Sequence, residues 1–483
     1  MTNTPAAPAP APAPAPLALS RDSGEPLADQ IVRSVVGRIE ERLLRPGARM
    51  PSIRQFAAAH GVSPFTVVAG YDRLVAQGYL DSRRGAGFFV RERPQPARHA
   101  QAPAPGGAAT LDIAWLVRNL FRQAPLQLSP GAGVLPADWL DGPAVANALR
   151  SLSRQNSASL LGYGAPHGFL PLRQQLQHKL AEHEIEAAPE QIVATLGVTQ
   201  ALDLLAREFC RPGDTIFVDD PAWFLMFGSF AALGLNVVGV RRLADGPDLE
   251  QLAELAARHR PALYVINSIL HNPTSGSLSA AKAYQVLRLA EQFDFTVVED
   301  DIYADLHPGG GSGAATRLAA LDGLRRVIYL GGFSKSMAPN LRVGFIAASG
   351  ERAQRLADRK MLTTLSTSDI GERVVYRILS EGVYRKHLDR IRGRLDAARP
   401  QALRRLEALG LRPDPAPAAG MFAWVDCGRD TNAVAARAMR DGLLLAPGSL
   451  FSPKQLPSTH MRLNVAALQD AGTLRLLERA LDG

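Results

Sequence analysis

The stretch Val327-Ile328-Tyr329-Leu330-Gly331-Gly332-Phe333-Ser334-Lys335 places a lysine a few residues after an apolar run that predicts a buried strand. In open α/β sheets, ligand-binding and catalytic groups gather at the carboxyl ends of the strands. Lysine is rare in this chain, with six among 54 basic residues. A partly buried amine has a lowered pKa and can form a Schiff base with a carbonyl compound. Lys335 is therefore a candidate catalytic residue, although a lone lysine is more often a surface residue.

Strand-like runs continue on both sides of this stretch and alternate with segments that have the spacing of amphipathic helices. The runs that predict strands cover residues 192–196, 215–218, 262–266, 296–299, 327–330 and 343–347. Alternation of strands and helices is typical of α/β domains with a parallel sheet. Residues 111–483 are therefore expected to form one large α/β domain.

Polar residues near the ends of other predicted strands supply what a pyridoxal phosphate site needs. Asp300 follows Val297-Val298-Glu299, and a carboxylate there would keep the pyridine nitrogen of the cofactor protonated. Tyr303, one helical turn further on, and Asn272 could both hydrogen-bond the 3-hydroxyl group. Trp223 offers a flat face for the pyridine ring, although a lone tryptophan is more often part of a core.

The phosphate group has candidate residues of its own. Gly197-Val198-Thr199 follows a predicted strand and opens a helix, where free backbone amides bind a phosphate dianion readily. Ser334 and Arg342 could complete this site, because both lie close to Lys335 in the sequence. The sequence therefore predicts an anion site beside the candidate lysine.

In this order and spacing, these residues resemble the fold-type I aminotransferases over about residues 115–483. The resemblance is carried by Tyr163-Gly164-Ala165-Pro166-His167-Gly168, Asn272-Pro273-Thr274, Asp300 with Tyr303, Ser334-Lys335, Arg342, Ala446-Pro447-Gly448-Ser449-Leu450-Phe451 and Arg462-Leu463-Asn464. It implies pyridoxal 5′-phosphate as cofactor and a mostly parallel seven-stranded sheet with a smaller C-terminal α+β subdomain. Ser275 and Gly332 depart from the family pattern of a glycine and a hydroxyl residue, which predicts weaker cofactor binding.

The same resemblance assigns roles to individual residues. It implies that Lys335 forms an aldimine with the cofactor, with Asp300 and Tyr303 as further catalytic residues. It implies that Arg462 clamps the carboxylate of an amino acid in a bidentate fork. It also implies a homodimer, in which Tyr163 reaches the phosphate of the neighbouring subunit.

The segment before the large domain predicts three short helices, beginning with an amphipathic one. Ile31, Val35, Ile39 and Leu43 recur at four-residue spacing and predict a helix that ends at Pro46-Gly47. The apolar stripe of this helix is expected to face the core of a small domain.

Caps predict the next two helices. Ser52 with Gln55 forms a capping-box pattern, and after a break Ser63 can cap a helix that has Pro64 at its first position. Residues 79–90 then form two short apolar strands around a basic, glycine-rich tip. Two helices joined by a short turn and followed by such a wing predict a winged helix-turn-helix.

Residues 20–93 resemble the winged helix-turn-helix of GntR-type regulators. The resemblance is carried by Arg45-Pro46-Gly47, Met50-Pro51-Ser52-Ile53-Arg54 and Gly85-Ala86-Gly87-Phe88-Phe89-Val90. It implies binding to double-stranded DNA through Arg49, Ser52, Arg54, Ser63, Phe65, Thr66, Arg83, Arg84 and Gly85. Between residues 45 and 93, eight arginines accompany three acidic residues, which suits a polyanion. The alternative is a small domain that packs on a partner without touching DNA.

The remaining composition narrows the class of protein. The chain has a formal net charge of +8, and 46% of its residues are hydrophobic without a run long enough for a membrane span. Two cysteines, Cys210 and Cys427, are too few for a disulfide framework or a zinc site and favour a reducing cytoplasm. Residues 1–19 predict a disordered Ala/Pro tail, and residues 94–110 predict a semi-extended linker.

The whole chain resembles the MocR subfamily of GntR-type regulators. This resemblance implies a regulator that senses an amino acid or related amine through the aldimine at Lys335, in a domain-swapped homodimer. The alternative is a working aminotransferase with an accessory DNA-binding domain, because every residue that transamination needs is present. A scaffold without cofactor is a third interpretation, which Lys335, Asp300 and Arg462 disfavour.

Overall fold

The computed structural model describes residues 19–21, 23–92, 128–154, 161–308 and 316–482. Most of the expected tail, residues 1–18, and the whole expected linker, residues 94–110, lie outside these ranges. The chain divides into two compact units, Met1–Ala109 and Thr110–Gly483. Across the described ranges, no helix is both long and apolar enough to cross a membrane.

The first unit contains three helices and a two-stranded antiparallel sheet. Its elements are α1 (Leu27–Glu40), α2 (Ile53–His60), α3 (Pro64–Ala76), β1 (Leu80–Arg83) and β2 (Gly87–Val90). The Ser52 hydroxyl accepts a hydrogen bond from the Gln55 amide at 3.3 Å, and the Gln55 side chain accepts one from the Ser52 amide at 3.0 Å. This reciprocal pair is the predicted capping box at the start of α2. Ser63 caps α3 through the Thr66 amide.

The prediction for the first helix is wrong at its C-terminal end. Ile31 and Val35 are buried as the apolar stripe predicts, but the helix ends at Glu40 and Leu43 is 68% exposed. The chain leaves the helical conformation at Arg42, whose φ is 61°. A residue with a positive φ cannot continue a right-handed helix, so the last residue of the stripe faces solvent.

The second unit is built on an eight-stranded sheet. Its strands are β3 (Ile192–Thr195), β4 (Thr215–Asp220), β5 (Asn236–Leu243), β6 (Gly246–Pro247), β7 (Leu263–Ile266), β8 (Thr296–Asp300), β9 (Val327–Gly332) and β10 (Gly344–Ala347). Their order across the sheet is β3-β10-β9-β8-β7-β4-β5-β6. The pairs from β9 to β5 are parallel, whereas β10 is antiparallel to both of its neighbours and β6 is antiparallel to β5. The sheet is mostly parallel as expected, but it has eight strands rather than seven because β6 turns back onto β5.

Side chains are buried on both faces of this sheet. In β7, Leu263 and Val265 pack into the core on one face, and Tyr264 and Ile266 pack into the core on the other. A strand buried on both faces reads as a continuous apolar run, which is why the sequence predicts it. The helices of this unit are α4 (Gly142–Ser153), α5 (Leu170–Ala181), α6 (Gly197–Phe209), α7 (Leu225–Ala232), α8 (Leu249–His259), α9 (Ala280–Phe293), α10 (Leu318–Asp322), α11 (Gly350–Thr364), α12 (Asp369–Ser380), α13 (Val383–Ala408), α14 (Thr431–Arg440) and α15 (Ala471–Asp482).

A smaller antiparallel sheet belongs to the C-terminal part of this unit, as expected. Its strands are β11 (Arg412–Pro413), β12 (Phe422–Asp426), β13 (Ala446–Pro447) and β14 (His460–Asn464), in the order β11-β12-β14-β13. Arg462 lies on β14 opposite Trp424 of β12 and Ala446 of β13. The candidate carboxylate-binding residue is thus held on an inner strand, where its backbone is fixed on both sides.

Candidate cofactor site and DNA-binding surface

A cavity of about 690 Å³ lies where the loops after the parallel strands meet. Strands β3, β4, β7, β8 and β9 run in one direction, so their carboxyl ends share one edge of the sheet. Two predicted residues, Tyr163 and Gly197, do not line this cavity, and Tyr163 is 86% exposed. The residues predicted for cofactor and substrate that do line it are Val198, Thr199, Trp223, Asn272, Asp300, Tyr303, Ser334, Lys335, Arg342 and Arg462.

The amine of Lys335 lies inside this cavity, just beyond the end of β9. Its Nζ donates a hydrogen bond to Gly133 O at 2.7 Å. Burial, with the positive charges of Arg462 and Arg342, lowers the pKa of the amine to about 8, against the opposing effect of Asp300. A substantial fraction of the amine is therefore neutral and nucleophilic near physiological pH.

Glu299 and Asp300 end β8 and Asp301 follows it, and of these three carboxylates only Asp300 lines the cavity. Successive side chains of a strand point to opposite faces, so Asp300 lines the cavity while Glu299 and Asp301 are buried elsewhere. Burial raises the pKa of Asp300 to about 7, against a hydrogen bond from the Ile302 amide at 3.2 Å. A carboxyl group in this setting gains from a cationic partner such as a protonated ring nitrogen.

Asn272 connects the predicted tyrosine to the predicted arginine. Its Nδ2 donates to the Tyr303 hydroxyl at 3.2 Å, and its Oδ1 accepts from Arg462 Nη1 at 2.7 Å. Burial raises the pKa of Tyr303, so this hydroxyl is neutral and able to donate. The amide and the phenol therefore form a fixed polar pair on the cavity wall.

Arg462 is a buried cation with neutral acceptors. Besides Asn272, its guanidinium donates to Gly131 O at 2.6 Å and lies 4.5 Å from the centre of the Phe422 ring. Its Nε has no hydrogen-bond partner among the residues that the structure describes. Burial lowers the pKa of the group to about 10. A buried guanidinium with a free donor is suited to receive an anionic group such as a carboxylate.

A second cationic group, Arg342, lies where a phosphate group would need hydrogen-bond donors. Arg342 Nη1 donates to the Ser334 hydroxyl at 3.3 Å, and its Nη2 donates to Leu196 O at 2.9 Å. Helix α6 begins at Gly197 without a side-chain cap, which leaves its first amides available. Gly197 has a φ of 72°, and a Cβ atom there would lie 2.7 Å from Arg342 Nη2. Only glycine allows the helix start to approach the guanidinium this closely.

Asn267 also lines the cavity, and sequence reasoning missed it. Its Oδ1 accepts from the Asn272 amide at 2.8 Å, and its Nδ2 donates to Asp300 O. The side chain thus fixes the spacing between two site residues that are 28 positions apart in sequence. Its position after the strand-like run 262–266 was the available signal, because polar residues at strand ends had already identified Asp300.

A second missed feature is the segment 131–134, whose backbone carbonyls contact the site residues. Gly131 O accepts from Arg462, and Gly133 O accepts from Lys335. Asn464 Nδ2 donates to the other two carbonyls of the segment, Ala132 O at 3.1 Å and Val134 O at 2.7 Å. Backbone carbonyls leave no signature in side-chain patterns, so no side-chain pattern indicates this segment.

The two departures from the family pattern have local explanations. Ser275 has a φ of 58°, a conformation that favours glycine, and its hydroxyl donates to Phe422 O at 3.0 Å. Gly332 is closely packed, since a Cβ atom there would lie 2.8 Å from Ile302 Cδ1. Neither residue lines the cavity.

The residues predicted to contact DNA lie at the surface of the first unit. All are exposed except Thr66, which is half-buried. The Ser63 and Thr66 hydroxyls lie 2.8 Å apart and are engaged with each other at the start of α3. Phe65, the second residue of α3, is 88% exposed, and Gly85 turns the wing with a φ of 77°. The surface therefore presents arginines and one uncovered aromatic side chain.

Comparison with known families gives a match for the region that contains the cavity and another for the small N-terminal unit. Residues 131–479 match the family described as aminotransferase class I and II. The chain belongs to that aminotransferase family. Members of the family depend on pyridoxal 5′-phosphate. Residues 27–90 match the bacterial regulatory proteins of the gntR family, and the combination agrees with the MocR subfamily.

Individual relatives also combine a regulator of the HTH type with similarity over most of this chain, or match its aminotransferase-family region. The uncharacterized HTH-type transcriptional regulator YdcR of Escherichia coli is 29% identical and covers 90% of this chain and 94% of its own length. The probable rhizopine catabolism regulatory protein MocR of Rhizobium meliloti is 29% identical and covers 78% of this chain and 76% of its own length. The aminotransferase-family region also matches a solved structure. LysN, an α-aminoadipate aminotransferase of Thermus thermophilus complexed with N-(5′-phosphopyridoxyl)-L-leucine, has a TM-score of 0.69 and 28% identity over 76% of this chain and 94% of its own.

Proposed function

We propose that this protein is a transcription regulator that binds DNA through residues 20–93 and senses an amino acid or related amine at Lys335, using pyridoxal 5′-phosphate. The observation that carries the proposal is the convergence of Lys335, Asp300 and Arg462 on one cavity, in a chain that also has a gntR-type region. An enzyme alone would need only the cavity. A ligand-independent DNA-binding protein would need only the gntR-type region.

Different cavity residues would hold different groups of the cofactor. When bound, pyridoxal phosphate supplies an aldehyde for covalent attachment of an amine and an electron-withdrawing ring. Lys335 Nζ would be the attachment point, and the Asp300 carboxylate would hold a proton at the pyridine nitrogen. Asn272 and Tyr303 hydrogen-bond the 3-hydroxyl group. The phosphate is assigned to Gly197, Val198, Thr199, Ser334 and Arg342, and the ring face to Trp223.

The segment 131–134 offers a way for the site to influence the rest of the chain. A ligand carboxylate at Arg462 would compete with Gly131 O, and cofactor attachment would take the Lys335 amine away from Gly133 O. Both events remove donors from one short segment, which follows the expected linker in sequence. A difference in ligand affinity of a few kcal/mol between two arrangements of this segment would suffice to shift DNA binding.

Turnover as an aminotransferase is the second candidate function. It is favoured by the presence of a lysine, a ring-nitrogen carboxylate and a carboxylate-binding arginine in one cavity, and by the similarity to LysN. The two functions are compatible, because sensing and transamination begin with the same amine binding at the same residues. We assign regulation as the primary role because the gntR-type region has no use in transamination.

A homodimer belongs to the same proposal. Tyr163 and Leu161 are 86% and 85% exposed, and Leu362 is 77% exposed. Contact with a second copy would bury these side chains and gain the free energy of removing apolar surface from water. In such a dimer, Tyr163 would reach the phosphate site of the neighbouring subunit.

The test adds candidate amino acids to the full-length holo-protein and follows two signals together. The first signal is the absorption band of the bound cofactor, and the second is affinity for DNA upstream of neighbouring genes. We expect the same compound to change both signals over the same concentration range. A compound that changes the band and is consumed with a keto acid, while DNA affinity stays constant, would instead favour the aminotransferase function.

The pKa of Lys335 predicts how cofactor uptake depends on pH. The amine attacks only when neutral, so below its pKa of about 8 the attachment rate should rise roughly tenfold per pH unit, and above pH 8 it should level off. Stopped-flow absorbance after mixing apo-protein with pyridoxal phosphate measures this rate. Free Nα-acetyl-lysine is the reference, with its rate rising through pH 10. A protein profile that follows the free amine would contradict the lowered pKa.

Arg84 predicts a salt-dependent contribution to DNA binding. This exposed arginine at the tip of the wing is expected to contact a phosphate, so Arg84→Ala should lower the slope of log K against log salt by about one. Fluorescence anisotropy with a promoter fragment at several salt concentrations measures the slope. Arg33→Ala is the matched control, because Arg33 lies on α1 and pairs with Glu25. Equal slopes for wild type and Arg84→Ala would remove Arg84 from the contact surface.

A further inference from the structure

The outward face of α3 begins with apolar side chains. Phe65, Ala69 and Asp72 are exposed, whereas Val67 and Tyr71, which alternate with them in sequence, are buried in the core of the first unit. Residues spaced by four and seven positions lie on one side of a helix, so the three exposed side chains form one row. In a helix-turn-helix, the N-terminal residues of the second helix contact base edges in the major groove. Here that helix is α3, and Phe65 is its second residue.

The charge along this row favours contact through its apolar end. Asp72 lies about two helical turns after Phe65, and DNA phosphates would repel its carboxylate. Arg73 beside it is paired with Asp29 of α1. The first two turns of α3 are therefore the part of the row that suits the major groove, and they present Phe65 and Ala69.

The hydroxyl groups beside Phe65 are engaged in the cap of the helix. Ser63 Oγ accepts a hydrogen bond from the Thr66 amide at 3.0 Å, and the Ser63 and Thr66 hydroxyls lie 2.8 Å apart. One hydroxyl proton is therefore used between these two side chains. Phe65 itself is 88% exposed, and its ring has no hydrogen-bonding group. A contact between Phe65 and a base edge must consequently be apolar.

Thymine is the base that offers an apolar group in the major groove, its C5-methyl, whereas the other base edges present donors and acceptors there. An aromatic ring placed against a donor or acceptor would displace its water without replacing the hydrogen bond. We infer that Phe65 contacts a thymine methyl group, so that the DNA sequence bound by this protein has a fixed thymine at that position. The inference rests on the proposed function, because it takes residues 20–93 as the DNA-binding part. Ala69 extends the same apolar surface by one turn.

The test begins with a random duplex library, from which full-length holo-protein enriches bound sequences over repeated rounds. Each thymine of an enriched duplex is then replaced singly by deoxyuridine, which removes only the methyl group. Fluorescence anisotropy measures the affinity of each duplex. At the thymine that Phe65 contacts, we expect the wild-type protein to bind the deoxyuridine duplex about fourfold more weakly, because one buried methyl group is lost.

The variant Phe65→Ala completes a cycle with the missing methyl group. It should bind the thymine duplex about tenfold more weakly than the wild type, and the deoxyuridine replacement should have no further effect. Leu43→Ala is the matched control, because it removes another exposed apolar side chain, which lies in the turn after α1. This control should keep the fourfold loss on deoxyuridine replacement.

Three results would overturn the inference. The first is a deoxyuridine loss that is equal in wild type and Phe65→Ala at every thymine, and the second is DNA binding without enrichment of a fixed thymine. The third is a Phe65→Ala variant that keeps the wild-type deoxyuridine loss but changes its molar mass in light scattering, since Phe65 would then contact protein. A holo-protein that binds no member of the library would instead overturn the proposed function.

Discussion

Replacing Lys335 with alanine is expected to abolish covalent cofactor attachment completely. Lys335 is the one lysine among the residues that line the cavity, so no neighbouring amine can take over. The phosphate contacts around Arg342 should still retain some cofactor without a covalent bond. Borohydride reduction followed by peptide mass spectrometry measures the label, which should be present at residue 335 in the wild type and absent in Lys335→Ala.

The same variant separates sensing from DNA binding. DNA affinity without effector should be unchanged in Lys335→Ala, because the first unit has its own core of buried side chains. The response of DNA binding to amino acids should disappear. Lys454→Ala, which removes an exposed lysine outside the cavity, should keep both the label and the response. A label that persists in Lys335→Ala would place the cofactor elsewhere and contradict the proposed site.

Removing the Arg462 guanidinium should weaken amino-acid binding more than any other single change to the ligand contacts. A carboxylate bound in a bidentate fork gains two charge-assisted hydrogen bonds, each of roughly 1.5–3 kcal/mol. Arg462→Met should therefore reduce the affinity for leucine by on the order of 100-fold or more. Titration of the cofactor absorption band measures this affinity.

A matched amine isolates the carboxylate contact from general damage. 3-Methylbutylamine has the shape of leucine without the carboxylate, so its affinity should be nearly equal in wild type and Arg462→Met. Arg475→Met, a substitution at an exposed arginine outside the cavity, should leave both affinities unchanged. If Arg462→Met weakens leucine and the amine equally, Arg462 acts on the structure of the cavity rather than on the carboxylate.

Local patterns predicted the helices and strands of the first unit and six strands of the central sheet, but not β5, β6 or the individual strands of the C-terminal sheet. The capping box at Ser52 and the buried strands of the central sheet are properties of neighbouring residues, so they can be read in order along the chain. Two errors, the end of α1 and the missing strand β5, arose because the surrounding structure was not visible in the local pattern. Helix α1, which was expected to include Leu43, ends at Glu40 because the backbone turns at Arg42. Strand β5 (Asn236–Leu243) was missed because it lies towards the edge of the sheet, where its side chains are mostly half-buried or exposed and form no continuous apolar run.

The sequence predicted those site residues whose side chains come at or just after the end of a predicted strand. Lys335 and Asp300 were chosen because chemistry in α/β sheets collects at strand ends, and both line the cavity. Asn267 was missed, although it too follows a strand. The carbonyls of Gly131 and Gly133 were missed because backbone groups carry no sequence identity. Tyr163 remains a prediction, because its expected partner is a second subunit.

The sequence by itself determined the capped starts of α2 and α3, the buried strands of the central sheet and the residue types available for chemistry. Only the tertiary structure decided that Arg462 and Asn272, 190 residues apart, share a hydrogen bond, and that the segment 131–134 lies against them. The physical reason is that the two kinds of feature depend on interactions over different distances along the chain. Helix caps and apolar runs depend on residues within a few positions, whereas strand order and the packing of the two sheets bring distant residues together through contacts that no local pattern encodes.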